Sequence, residues 1–353
     1  LRPAHDRNYA LWEHSSNAVI RGAIKEEIVR RIVESLLIAA GLALALAPAH
    51  GDNYPSRRIT LIAPWPPAGA IDTTCRELAP GVGDLLGQPV VVENRPGAGS
   101  TIGTADGAKA APDGYTLVLA GSGSLAISPA LYKELPYDPR KDFTPIALVV
   151  RVPFILVVNP SLPIESVSDL ISYAKAHPGA LTYGSGGAGS PHQLYAEMFK
   201  TMTGIEMTHV PYKGSAPALT DVVGGHIDLL FADPAPALPL VKAGKVRALG
   251  VTSAAPLPAA PDIAPLAQSG VPGFDAAGWG MVVAPARTPA AIVSKLYDAF
   301  RTVQARSEVR NRLSFLGLTP QMSPPPDTLQ GFIDSELVRW GKVVKSAGLA
   351  GTE

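Results

Sequence analysis

From Ile59 onward, short apolar runs alternate with longer amphipathic stretches, and Gly or Pro marks most junctions. The apolar runs predict strands over 59–63, 90–93, 115–120, 146–150, 155–159, 182–184, 227–232 and 246–252. The amphipathic stretches predict helices over 72–86, 103–111, 168–177, 191–203, 216–224, 289–305 and 326–347. Gly87 stops the first helix, Pro112 the second and Pro178-Gly179 the third, while Ser166 or Ser168 offers the third a cap. Apolar strands interleaved with helices indicate an α/β fold on mostly parallel sheets. No internal repeat of fixed period is present.

Upstream the pattern differs. Arg30 and Arg31 precede a continuous apolar run at 36–47 (LLIAAGLALALA), and Ala47-Pro48-Ala49 supplies small residues for cleavage. This is the plan of a secretory signal peptide over 29–49, and the run is too short to span a bilayer comfortably. Residues 1–28 carry mixed charge, the chain opens on Leu, and its first methionine is Met198. The expectation is a true start downstream, at Val29, with 1–28 a misassigned extension. A protein exported to the periplasm follows.

Composition narrows the function classes. The 353 residues are 46% hydrophobic and 17% charged, enough for a sizeable core in two lobes. The formal net charge is zero, so nothing suggests nucleic acid as a partner. Cys75, the only cysteine, excludes an internal disulfide and a Cys-cluster metal site, and its place in the first helix suits a small packed residue.

Four predicted strand ends share one chemistry. They are Pro67-Ala68-Gly69-Ala70-Ile71-Asp72, Ala120-Gly121-Ser122-Gly123-Ser124, the run from Tyr183 to His192 (YGSGGAGSPH), and Pro211-Tyr212-Lys213-Gly214-Ser215-Ala216. All are rich in small residues, and three run straight into a helix. Glycines let backbone N–H groups approach a ligand, and serines add hydroxyls. Helix starts carry unpaired N–H groups and a partial positive charge, so such loops together suit an anion such as a carboxylate. Asp72 and Asp233 stand at element ends, where each can cap backbone N–H groups or meet a ligand amine or hydroxyl. His192, in a first helical turn, can touch a ligand or simply pack.

Other motifs carry less. Gly184-x-Gly186-x-x-Gly189 matches the dinucleotide fingerprint formally, but Glu206, the nearest acidic candidate, opens the next strand instead of closing it. No P-loop, no Gly-x-Ser-x-Gly elbow and no His-Glu-x-x-His arrangement occurs, so neither a cofactor nor a metal is expected.

Taken in order, several segments resemble the substrate-binding proteins of tripartite tricarboxylate transporters, also called Bug proteins. They are PSRRITLIAPWPPAGAID, GQPVVVENRPGAGSTIGTADGAKAAPDGYTL, LTYGSGGAGSPHQLYAEMF, VPYKGSAPALTDVVGGHIDLLFAD, GKVRALGVTS, GWGMVVAPARTPAAIVSKL and LGLTPQMSP. The resemblance runs over about 300 residues from Tyr54 to the C-terminus. It implies a two-lobed periplasmic binding fold of type II, an α/β Venus flytrap with two mostly parallel or mixed sheets flanked by helices. Lobe one would comprise 54–153 plus 277–353, and lobe two 154–276. The implied ligand is a small carboxylate: a di- or tricarboxylate, an acidic amino acid or an aromatic acid. Matching positions imply ligand contacts at Ala68, Gly69, Ala70, Ile71 and Asp72, and at Ser122, Ser185, Gly189, Ser190 and His192. Tyr212, Ala216, Asp233 and Trp279 are further implied contacts. Here Ala68 replaces the family's first Gly, Trp65 stands where Phe or Tyr is common, and Ile71 fills the variable position before Asp72. The first adds a methyl where backbone meets ligand, and Ile71 closes off a polar contact.

The implied protein is a monomeric receptor, not an enzyme. Its partners are the membrane permease subunits of a tripartite tricarboxylate transporter, or a sensor. At the level of sequence two alternatives stay open: a sensory or signalling receptor of the same fold, and an oxidoreductase or hydrolase built on it.

Overall fold

The structure, a computed structural model, describes residue 31 and residues 54–67, 69–187, 189–212 and 214–352. The expected extension at 1–28 and signal at 29–49 lie outside the described residues, Arg31 excepted, as does Ala68. Pro55–Glu353 forms one compact unit, and Leu1–Tyr54 is assigned to another.

The larger unit opens with β1 (Ile59–Ala63), whose Ile59, Leu61 and Ile62 are fully buried. Helix α1 (Ala70–Leu86) starts earlier than its amphipathic pattern suggests, because Gly69 is extended and its carbonyl accepts from Thr73 N–H at 2.9 Å. Gly87, at φ 69°, ends the helix in a left-handed conformation that glycine adopts without a Cβ clash. β2 (Val90–Asn94), α2 (Thr101–Ala108) and β3 (Thr116–Gly121) follow, and α2 sits two residues nearer the N-terminus than expected at its start. A π-helical turn at Gly123–Ile127 leads into the short α3 (Ser128–Leu131). β4 (Phe143–Pro153) extends well beyond the expected 146–150.

After Phe154 the chain builds β5 (Ile155–Val158), α4 (Val167–Ala176), β6 (Thr182–Ser185), α5 (Pro191–Thr203), β7 (Thr208–Pro211), α6 (Ser215–Gly224), β8 (Leu229–Ala232), α7 (Pro234–Lys242) and β9 (Arg247–Val251). Ser166 caps α4, its Oγ accepting from Asp169 N–H at 3.1 Å. The chain then returns through β10 (Ala277–Pro285), α8 (Ala290–Ala305), α9 (Ser307–Phe315), β11 (Thr319–Pro320) and α10 (Pro326–Ser346).

Two mixed sheets result. The first has the order β11-β4-β10-β3-β1-β2, with β1 parallel to β2 and β3 and with β10 antiparallel to β3 and β4. The second has the order β7-β6-β8-β5-β9, with β6 parallel to β7 and β8 and with β5 antiparallel to β8 and β9. All four residues of β5 and all nine of β10 are buried, which anchors both sheets at their centres. Burying each such aliphatic side chain contributes about 1.5–3 kcal/mol.

The two passages between the sheets lie side by side. Phe154 N–H donates to Thr252 Oγ1 at 2.8 Å, and Thr252 N–H donates back to Phe154 O at 2.9 Å. Ala276 N–H then donates to Thr252 O at 2.8 Å, so three separated stretches are laced at one level.

Candidate functional site

The loop between β1 and α1 is tied down by its own side chains. Asp72, buried in the first turn of α1, accepts from Arg76 Nε at 3.0 Å and from Asn94 Nδ2 at 2.8 Å. Asn94 Nδ2 also reaches Trp65 O at 3.1 Å, which binds the loop to the end of β2. Asp72, expected at a ligand or on a cap, thus engages Arg76 and Asn94. Ile71 has its side chain buried against the first sheet, with Cδ1 beside Gly121 and Gly280, while Gly69 and Ala70 are half-buried.

Ser122 ends β3 and is buried beside the π-helical turn. Facing that turn is a loop that the sequence reading did not single out. Gly97, Ala98, Gly99 and Ser100 all have positive φ, of 133°, 44°, 59° and 79°. Positive φ at two non-glycine positions, Ala98 and Ser100, within a four-residue run is strained backbone, which persists only where its surroundings enforce it. Thr101 Oγ1 donates to Ala98 O and Thr104 Oγ1 to Ser100 O, both at 2.8 Å, and these bonds brace the loop. The repeated small residues of GAGST were the available signal.

The loop from β6 to α5 has two kinds of serine. Ser185 is fully buried, accepts from Gly187 N–H, donates to Gly187 O, and lies 2.7 Å from His209 Nε2. Its hydroxyl therefore braces the loop. Gly189 N–H is engaged too, donating to Gln193 Oε1 at 2.7 Å, while Gln193 Nε2 meets His209 Nδ1 at 3.3 Å. Burial holds His209 below its ordinary value, so it is the neutral ring that joins Ser185 to Gln193. Sequence reading missed Gln193 and His209 because the contact spans separate elements. Gly189 has a different necessity: its φ is 69°, and any Cβ there would collide with Leu131 of α3.

Ser190, the residue before α5, behaves otherwise. Its Oγ is buried, does not cap the helix, and has no hydrogen-bond partner among the described residues. His192 Nδ1, in the first turn, is likewise buried and unpartnered. The other ring nitrogen, Nε2, lies 3.2 Å from Asp233 Oδ2, and the ring packs on Phe154 with centroids 4.6 Å apart. Burial pushes the Asp233 carboxyl up, but His192 and the Ser215 hydroxyl prevail and hold it below the usual carboxylate range. Asp233 makes no side-chain cap on α7, so the capping expectation gives way to orientation of His192.

The remaining candidates separate. Tyr212, just after β7, directs its hydroxyl to Asp221 Oδ2 of α6 at 2.7 Å. Ala216 is exposed in the first turn of α6. Trp279 donates to Glu336 Oε2 of α10 at 2.7 Å and packs edge-on against Phe332, which seats its indole against that helix.

A hydroxyl and the N–H groups of a helix's first turn suit an anion. The Ser185–His209 pair is poorly placed as nucleophile and base, since the serine is fully buried and the outer ring nitrogen faces an amide. Among the described residues, no group of three or more His, Cys, Asp or Glu could hold a metal.

Two mixed sheets joined by laced crossings, with unpartnered polar atoms at a helix start, make a receptor for a small solute. The family model described as tripartite tricarboxylate transporter family receptor matches residues 74–349. The chain is 37% identical to the protein BugT of Bordetella pertussis over 318 residues, which is 90% of this chain and 96% of BugT. It is similar to the structure of R. palustris Rpa4515 with adipate, at 38% identity and a TM-score of 0.76, covering 84% of this chain and 99% of that one. It is also similar to MatC (Rpa3494) from Rhodopseudomonas palustris with bound malate, at 33% identity and a TM-score of 0.72, covering 82% and 100%. The chain belongs to the receptor family of tripartite tricarboxylate transporters.

Proposed function

We propose that this protein is a periplasmic receptor that holds a small carboxylate and delivers it to the membrane components of a tripartite tricarboxylate transporter. The observation that carries the reading is the buried Ser190 Oγ at the start of α5, which has no hydrogen-bond partner among the described residues. Leaving the Ser190 hydroxyl without a partner costs about 1–3 kcal/mol, and a bound carboxylate that accepts from it removes that cost, while His192, whose Nε2–H faces Asp233, offers Nδ1 as an acceptor. The adipate and malate carried by the two similar structures support the same ligand class.

The lobes in this reading are 54–153 plus 277–353 and 154–276, each built round one sheet, with the laced crossings at Phe154, Thr252 and Ala276 as the hinge. The ligand favours the closed state because only that state offers donors from both sides. Hydrogen bonds to a charged group contribute about 1.5–3 kcal/mol each, so a few suffice for micromolar binding after ordering costs. Capture and release need no bond chemistry, and the protein acts as a receptor without turnover.

A thermal-shift screen tests this. With di- and tricarboxylates, acidic amino acids and aromatic acids as the panel, one carboxylate class at about 100 times its Kd should stabilise the fold by roughly 2.7 kcal/mol. A flat profile from cooperatively melting protein, or turnover of a bound acid, contradicts the proposal.

A further inference from the structure

Gln193 and His209 stand behind the loop that leads into α5, and neither is among the proposed solute contacts. Gln193 is buried, and His209 is half-buried on β7, the edge strand of its sheet. A line of hydrogen bonds ties both to the loop. Gly189 N–H donates to Gln193 Oε1 at 2.7 Å, and Gln193 Nε2 meets His209 Nδ1 at 3.3 Å. His209 Nε2 meets Ser185 Oγ at 2.7 Å, and that hydroxyl donates to Gly187 O at 3.0 Å. The direction of the line follows from one fixed donor. A backbone N–H can only donate, so Gln193 turns its oxygen to Gly189 and its NH2 group to the ring. Nδ1 must then accept, the ring proton sits on Nε2, and Ser185 passes its own proton on to Gly187 O.

A second proton on the ring breaks this line. Nδ1 becomes a donor and faces the Gln193 NH2 group, which is a donor too. Turning the amide over would satisfy the ring, but it would set NH2 against Gly189 N–H. The bond to Gly189 and the charged ring therefore exclude one another. Gly189 has little freedom to adapt, since it is buried at φ 69° with no room beside Leu131, and Ser190 follows it directly. The titratable and charged groups that face the ring come from β6 and α5. Tyr183 stacks on it with centroids 5.0 Å apart and donates to Glu197 Oε1, and Lys200 pairs with Glu197 at 2.8 Å. Glu197 favours a charged ring, while burial above all, and Lys200 with it, oppose one.

We infer that Gln193 and His209 are positioning residues for the solute loop, and that a proton on His209 Nδ1 competes with a solute carboxylate at Ser190. This competition rests on the proposed carboxylate reading and adds the control of that site. The seated Gly189 fixes the backbone from which Ser190 opens α5. A solute that needs the seated loop keeps the ring neutral, and a charged ring weakens the hold on the solute. The coupling is reciprocal, so the solute lowers the proton affinity of His209 by the factor that the proton lowers solute affinity. The hold is complete above about pH 6.5, where a histidine is ordinarily neutral, and weakens as pH falls from there through the folded-state value.

Two measurements test this, the first without a ligand. Imidazole NMR on nitrogen-labelled protein should show the Nε2–H tautomer of His209 at neutral pH. The Gly189 amide should lose protection from hydrogen exchange as His209 takes up its second proton. Gln193→Glu gives one carboxylate oxygen to Gly189 N–H and the other to Nδ1–H, so there His209 should titrate at higher pH and Gly189 should stay protected. An Nδ1–H tautomer, or Gly189 protection that does not follow the ring, overturns the inference. Calorimetry with adipate and malate as probes then reads the competition. Between about pH 7.5 and about pH 5.5, wild type should lose about ten-fold or more in affinity relative to His209→Gln, which reports the probe's own titration. Gln193→Glu should abolish that excess loss, and should it fold poorly the comparison with His209→Gln decides. Parallel profiles in all the proteins overturn the competition and leave the carboxylate reading standing, since a merely structural pair would shift affinity without changing its pH dependence. Wild-type protein that folds but binds neither probe at neutral pH contradicts that reading and the competition with it, and the NMR result alone then decides the seat of Gly189.

Discussion

Two helix starts in this molecule look alike in sequence and behave oppositely. Both α1 and α5 follow a small-residue loop, and neither has a side-chain cap on its first residue. At α1 the first turn contains Asp72, which brings its own negative charge to the positive end of the helix and is held by Arg76 and Asn94. At α5 the first turn has no acidic residue, Pro191 opens the helix, and Ser190 and His192 present atoms without partners. The first helix start is neutralised internally, and the second carries no acidic residue of its own, which in the proposed reading is where a solute binds. A glycine-rich loop before a helix is thus only a frame, and the side chains of the first turn decide whether it is closed or available.

The largest expected effect comes from disturbing the frame of α5. Gly189→Ala forces a residue with φ 69° to carry a methyl that collides with Leu131. Strain of this kind costs about 1–3 kcal/mol, so a lower Tm and abolished acid binding are expected together in melts and calorimetry. Unchanged binding would mean that the α5 loop does not depend on its seat against α3.

Asp72→Asn probes the closed helix start. It removes the charge that complements α1 and weakens the bond to Arg76, so unfolding should become easier by about 1–3 kcal/mol in denaturant titrations. Acid affinity should stay at the wild-type value, and a large loss would place Asp72 at the ligand after all.

The smallest effect concerns pH. His209 is held below its ordinary value near 6.5 by burial, so below that pH the unfolded chain takes a proton that the folded chain refuses. Its stabilising share is complete above about pH 6.5 and declines as pH falls from there towards the folded-state value. His209→Gln should flatten this part of the Tm-against-pH curve, and an unaltered slope would assign it to other groups.

Much of the fold was legible because strand and helix periodicities are local. β10 was not, since all nine of its residues are buried and its AGWGMVVAP shows no alternation to distinguish strand from loop or helix. α7 was hidden by Pro234, Pro236 and Pro239, which read as breakers although the first sits where a helix tolerates it. In the site, the loops could be picked out, but the use of each side chain could not. Ser185 and Ser190 look equivalent in sequence, but Gly187 and His209, 24 residues later, engage the first, while the second has no partner among the described residues. The partner of Trp279, Glu336, was illegible for the same reason, being 57 residues away.

The most direct measurement is a calorimetric titration of the best carboxylate from the screen into wild-type protein and Ser190→Ala. The unpartnered Ser190 hydroxyl predicts a loss in affinity of about ten-fold or more, from one hydrogen bond to a charged group, with a Tm for the free variant at or above wild type. Equal affinity in the two proteins would contradict the claim that the open start of α5 is where the solute is held.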